Sequence, residues 1–206
     1  MTATPSSAAG TCGVCERLRS ALPRDTNWSE LLLHVERADY FEMFGLRRAY
    51  HIDLAALQAA YMAISRNIHP DRYAMASPAE QAFAMRASAV VNRAYETLKD
   101  AFARAEYLLE SAGGQNAAQD KRVPADLLGQ IMMMREELEE ARAAGDEKRI
   151  QSIRAEVLEQ RRTAQSTVAE LCHRLIEQSD DVRDELRLRL NGLKYLNNLL
   201  STIDAP

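Results

Sequence analysis

Pro70 divides two helix-forming stretches, and that division constrains the chain more than any other feature. Upstream, Leu54, Leu57, Tyr61, Ile64 and Ile68 recur at three- and four-residue steps. This spacing predicts a helix with one apolar face, opened by Asp53 as its N-cap. A proline disfavours helical geometry in the residue before it, so the helix must stop near Asn67 or Ile68. Downstream, Ser77-Pro78-Ala79-Glu80 has the form of a capping box with proline at the first helical position. A second apolar stripe follows through Phe83, Ala87, Val90, Val91, Ala94 and Leu98. Two antiparallel helices that bury these stripes against each other hold His69-Pro70-Asp71 on an exposed loop at their common tip.

With 206 residues the chain has room for one large domain or two small ones, each with a modest core. A hydrophobic content of 47% beside 27% charged residues indicates a soluble globular protein. Sustained Val/Ile/Thr/Tyr alternation is absent, so the expected fold class is all-α. A net charge of −4 provides no broad basic field, which argues against nucleic acid as a partner. No apolar run approaches the roughly 20 residues of a membrane span, so no membrane is expected either. Cys12, Cys15 and Cys172 are too few and too unevenly placed for a disulfide framework, which points to a reducing compartment. The cytoplasm is expected. Arg17, Arg19 and Arg24 among alanines and serines make the mitochondrial matrix the alternative, opposed by Glu16 and Asp25. With no Ser/His/Asp triad, P-loop or paired carboxylates, an enzyme is not expected.

The chain reads as four stretches. Residues 1–37 form an N-terminal extension, largely disordered through about residue 27, with a short helix from Trp28 to Val35. Truncating residues 1–27 is expected to leave a docking function intact. Residues 38–111 hold the hairpin, preceded by a short helix from Asp39 to Phe44 that Gly45 stops. Residues 112–123, polar and rich in small side chains, are expected to be a linker. From Pro124 three amphipathic helices follow, interrupted at Gly145-Asp146 and Ser179-Asp180-Asp181. Their short connections favour an antiparallel three-helix bundle over residues 124–206.

On these residues the chain resembles the HscB-type J-domain co-chaperones of iron–sulfur cluster assembly. The likeness runs through Tyr40-Phe41, Gly45-Leu46, His69-Pro70-Asp71-Arg72-Tyr73, Glu80-Gln81, Ser88-Ala89 and Asn92-Arg93-Ala94-Tyr95. It continues in Thr97-Leu98-Lys99, Arg104-Ala105-Glu106-Tyr107-Leu108-Leu109 and Arg135-Glu136-Glu137-Leu138, covering about residues 39–203. The resemblance implies a J-domain that stimulates ATP hydrolysis by a DnaK/HscA-type chaperone, and a bundle that carries an IscU-type iron–sulfur scaffold to it. A general J-domain co-chaperone for other clients is the alternative. A zinc or redox protein built on Cys12 and Cys15 is the rival from another class.

The docking chemistry follows from the side chains. Pro70 stiffens the loop, His69 supplies a polar aromatic edge, and Asp71 offers an anion to an arginine across an interface. Arg66 and Arg72 flank them and complete the expected chaperone-binding set. J-domains usually carry a basic helix before this loop, yet Arg66 is the only charge between Leu54 and Asn67. Arg47, Arg48 and Arg72 are left to supply the rest, so electrostatic steering to the chaperone is weak.

In the bundle, Leu127, Ile131, Met134 and Leu138 span only about 60° of the helical wheel, which makes them the core side. Met132 and Met133 fall outside it, and Tyr195 is off the stripe of Leu186, Leu190 and Leu193. Alignment with the family puts the scaffold-contacting positions at Leu128, Gly129, Met132, Met133, Glu136, Glu140 and Tyr195. Gly129 stands where a large apolar side chain is expected. No cofactor is required, although Cys12 and Cys15 could supply half a tetrahedral zinc site, with His34 the nearest further ligand. Cys172 falls on an apolar stripe and reads as core.

Overall fold

The capping box expected at Ser77 is complete. Its hydroxyl faces the Glu80 amide, the Glu80 carboxylate accepts from the Ser77 amide at 2.9 Å, and Pro78 occupies the first turn. This arrangement satisfies amides that the start of a helix otherwise leaves open. The structure is a computed structural model that describes Leu18, residues 26–176 and residues 182–205. Its helices are α1 (Trp28–Arg37), α2 (Tyr40–Phe44), α3 (Leu54–Ile68), α4 (Pro78–Lys99), α5 (Ala101–Ser111), α6 (Ala125–Ala144), α7 (Glu147–Ile176) and α8 (Arg183–Ile203). A 3₁₀ turn, Pro70–Tyr73, lies between α3 and α4. The described residues contain no strand, as an all-α fold requires.

The chain separates into two compact units, Met1–Arg104 and Ala105–Pro206. In the first, α3 and α4 form the expected hairpin, and α1 and α2 both pack against α4. Leu57, Ile64 and Ile68 of α3 are buried, as are Phe83, Ala87, Val91, Ala94 and Leu98 of α4. Leu54 departs from the expected stripe: it is 51% exposed in the first turn of α3. Tyr61 stays at the edge of the hairpin, stacked on Tyr95 with ring centroids 4.1 Å apart and its hydroxyl on Asn92. Gly45 ends α2 at a φ of 66°, a left-handed conformation that glycine adopts without steric cost.

In the second unit α6 and α8 run in the same sense, with α7 against them. Leu127 meets Gly192 at one end, while Arg142 donates to the Thr202 carbonyl at the other. A Cβ on Gly192 would stand 2.8 Å from the Leu127 side chain, so the missing side chain is what lets the two helices approach. Ile131, Met134, Leu138, Ile153, Val157, Leu196, Leu199, Leu200 and Ile203 form a shared core. The turn at Gly145 has a φ of 65° and returns α7 along α6. The expected break at Ser179-Asp180-Asp181 lies outside the described residues.

Two expected boundaries move. The division between units falls inside α5, not within residues 112–123. Asp120 is buried, and the Asn191 amide donates to the Asp120 and Arg122 carbonyls at 2.9 and 2.7 Å. The expected linker is therefore fastened to α8. At the other end, the extension is not all loose. Leu18 is 1% exposed and its carbonyl accepts from the Asn67 side chain. Leu31, Leu32 and Val35 bury α1 in the first unit. Apolar side chains that find a surface to cover leave water at a gain of about 25 cal/mol per Å².

Candidate functional site: an exposed loop and a methionine face

His69 ends α3 in an extended conformation that the following proline favours, and Pro70 opens the 3₁₀ turn. The turn has no buried residue of its own, so side-chain hydrogen bonds hold it in place. Arg72 donates to the Arg66 carbonyl at 2.8 Å, and the Tyr73 hydroxyl donates to the Asn67 carbonyl at 3.0 Å. These bonds satisfy two of the carbonyls that the end of α3 leaves open. From the far side, the Gln81 amide donates to the Ala74 and Ala76 carbonyls, and the Ser88 hydroxyl to the Ile68 carbonyl. Burial pushes the Tyr73 phenol above its ordinary pKa, with Arg72 opposing the shift.

What this frame presents is polar and accessible. The Asp71 side chain is 89% exposed and that of His69 56%. The His69 Nδ1 lies 3.3 Å from the Asp71 amide. A neutral ring that accepts there carries its proton on Nε2, so the loop offers a carboxylate and an N–H donor side by side. Arg66 and Arg72 are both exposed on the same turn of chain, although part of the Arg72 guanidinium is already spent on α3. Arg48 is also engaged, pairing with Asp39 at 3.3 Å. The loop residues named from the sequence thus come together, Arg72 bonded to the Arg66 carbonyl and the Asp71 amide set against the His69 ring.

The second candidate surface is on α6 and α8. Met132 and Met133 are 59% and 58% exposed, Leu128 41% and Tyr195 37%. Gly129, Glu136 and Glu140 are exposed with them. Leu128, Met132, Glu136 and Glu140 follow one another at four-residue steps, which makes a single ridge along α6. The core stripe has Ile131, Met134 and Leu138 buried and Leu127 partly so. Exposed flexible thioethers can adapt their shape to an apolar surface laid against them. A Cβ on Gly129, one turn before Met133 and beside that ridge, would meet nothing within 4 Å, so the space there is open to solvent.

Cys12 and Cys15 lie outside the described residues. His34 has its Nδ1 2.7 Å from the Glu30 carbonyl within α1. Among the described residues no group of three or more His, Cys, Asp or Glu is placed to hold a metal. Cys172 is buried on α7 as read from its stripe. Sequence reasoning gave no role to Leu18, Trp28 or Asn67, whose contacts lead to the loop from outside the motif. Trp28 carried a signal, being the chain's one tryptophan just after a capping residue, Asn27. Leu18 carried none.

A helical hairpin with His-Pro-Asp at its tip is the arrangement of a J-domain co-chaperone, here in a chain that also carries a helical bundle. Comparison with known proteins narrows this. The family model of the HSCB C-terminal oligomerisation domain matches residues 123–204. The co-chaperone protein HscB homolog of Bordetella petrii is 44% identical over 138 residues, which cover 65% of this chain and 78% of that protein. Among solved structures, the chaperone HscB from Vibrio cholerae superimposes with a TM-score of 0.69 at 29% identity, over 81% of this chain and 96% of that one. The human co-chaperone protein HscB gives 0.71 at 25% identity, over 98% of this chain and 92% of that one. The chain belongs to the HscB co-chaperone family.

Proposed function

We propose that this protein is an adaptor of iron–sulfur cluster assembly. It binds the cluster scaffold protein on the α6–α8 face and delivers it to a dedicated DnaK-type chaperone. Its His69-Pro70-Asp71 loop stimulates that chaperone's ATPase. The observation that carries this is the separation of two exposed surfaces onto two compact units, a polar loop on one and a methionine ridge on the other. An adaptor needs two such surfaces, because each must engage its partner while the other is occupied. The loop holds no nucleophile and needs no metal. Its carboxylate and ring N–H favour the hydrolysis-competent state of a partner that carries the catalytic groups itself. The adaptor works without a resident cofactor, in the cytoplasm, as befits a relative from Bordetella petrii.

Single-turnover ATP hydrolysis by a DnaK-type chaperone, measured with and without this protein and with and without the scaffold, tests both jobs. The adaptor raises the rate alone and raises it further with the scaffold present. Absence of stimulation in both conditions overturns it.

A further inference from the structure

We propose that Leu18 and Trp28, which precede the hairpin in sequence, are positioning residues for the His69-Pro70-Asp71 loop. This rests on the loop being the chaperone-docking element.

The contacts converge on the foot of the loop. Trp28 sets its ring edge-on to Tyr73, centroids 6.1 Å apart at 82°, and leans on buried Phe83 at 5.1 Å. Tyr73 is the last residue of the 3₁₀ turn that contains Asp71. Its hydroxyl reaches the Asn67 carbonyl, and the Asn67 side chain faces two ways. Its Nδ2 donates to the Leu18 carbonyl at 3.0 Å, while its Oδ1 lies 3.5 Å from an Arg72 nitrogen. Arg86 fixes α1 to α4 through Glu36 at 2.6 Å. One chain of contacts therefore runs from Leu18 through Asn67 to Arg72, and another from Trp28 to Tyr73.

The turn needs such support. A 3₁₀ turn has poorer hydrogen-bond geometry than an α-helix, and this one buries nothing of its own. A loop that samples several conformations must be ordered on docking, which weakens the complex. Leu18 and Trp28 supply that order beforehand, from a part of the chain outside the docking surface. Their loss raises the chaperone concentration needed without changing the rate the saturated complex reaches. Loss of the Leu18 or Trp28 contacts lowers co-chaperone activity while the His-Pro-Asp motif itself stays unaltered, contrary to the expectation that residues 1–27 are dispensable.

The test uses the full chain carrying Leu18→Asp, Trp28→Ala or Trp28→Phe. Stimulation of a DnaK-type chaperone's ATPase is titrated, and hydrogen exchange at the Asp71 to Ala74 amides is measured on the protein alone. Leu18→Asp and Trp28→Ala are expected to raise the half-stimulating concentration about three- to tenfold at unchanged maximum, and to speed loop exchange. Trp28→Phe, which keeps an aromatic ring against Tyr73, restores both. Circular dichroism at the assay temperature confirms that each variant is folded. Unchanged half-stimulation and unchanged exchange in folded Leu18→Asp and Trp28→Ala overturn the proposal. If wild type stimulates no ATPase the adaptor function fails, and the exchange rates still decide the role of these residues.

Discussion

Arg187, in the middle of α8, grips both carboxylate oxygens of Glu106 on α5, 81 positions earlier, at 2.5 and 2.6 Å. The arginine side chain is 1% exposed and that of Glu106 18%. Its Nε also donates to Asn191 at 3.1 Å, the residue that ties down the Asp120 and Arg122 carbonyls. Removing one partner leaves a buried charge uncompensated. Arg187→Met or Glu106→Leu alone is expected to destabilise the second unit by about 3–5 kcal/mol in urea unfolding. The double substitution costs much less than the sum, because no orphaned charge remains.

Asp120 sets an acid limit for the same unit. The Arg122 guanidinium and backbone amide bind its carboxylate, and together they lower its pKa from an ordinary 3.8 to about 2. A lowered pKa contributes stability that is complete above the unfolded value and is lost as pH falls through the folded one. Wild type is therefore expected to be more stable than Asp120→Asn at neutral pH. The gap in chemical unfolding should narrow below about pH 4 and close near pH 2. A constant gap across that range would assign the effect to packing.

At the loop, His69→Gln and Asp71→Asn are each expected to abolish ATPase stimulation. Both side chains are exposed and cap no core, so helical content by circular dichroism and scaffold binding by the second unit stay as in wild type.

The methionine ridge predicts the complementary phenotype. Met132→Ala with Met133→Ala, or Tyr195→Ala, should weaken scaffold binding by roughly 1–3 kcal/mol in titration calorimetry. Stimulation without scaffold stays unchanged, and the melting temperature moves by a few degrees at most. Gly129→Leu fills the open position beside the ridge, one turn before Met133, and is expected to strengthen scaffold binding. Replacing the glycine also raises helix stability, by roughly 0.5–1 kcal/mol on the Gly→Ala scale.

Cys12 and Cys15 supply two sulfurs, half of a tetrahedral zinc shell. Metal analysis of the purified monomer is expected to give sub-stoichiometric zinc or none. One tightly held zinc per chain that disappears in Cys12→Ser would make the N-terminus a metal-binding module.

The sequence by itself determined the hairpin, the caps and the outward turn of Met132 and Met133. Each depends on interactions within a few residues: Ser77 with Glu80, Pro70 on His69, a stripe repeating every three or four positions. Leu54 was misread because periodicity says which face is apolar, not where the partner helix ends. Only the tertiary structure decided where the units divide and what holds the loop. Arg187 and Glu106, Asn191 and Asp120, Asn67 and Leu18 are each separated by 49 or more positions. No local pattern marks one as the other's partner. A polar residue such as Asn191 looks the same in sequence whether it faces water or a buried carbonyl. Only the fold removes the water, and with it the alternative partner.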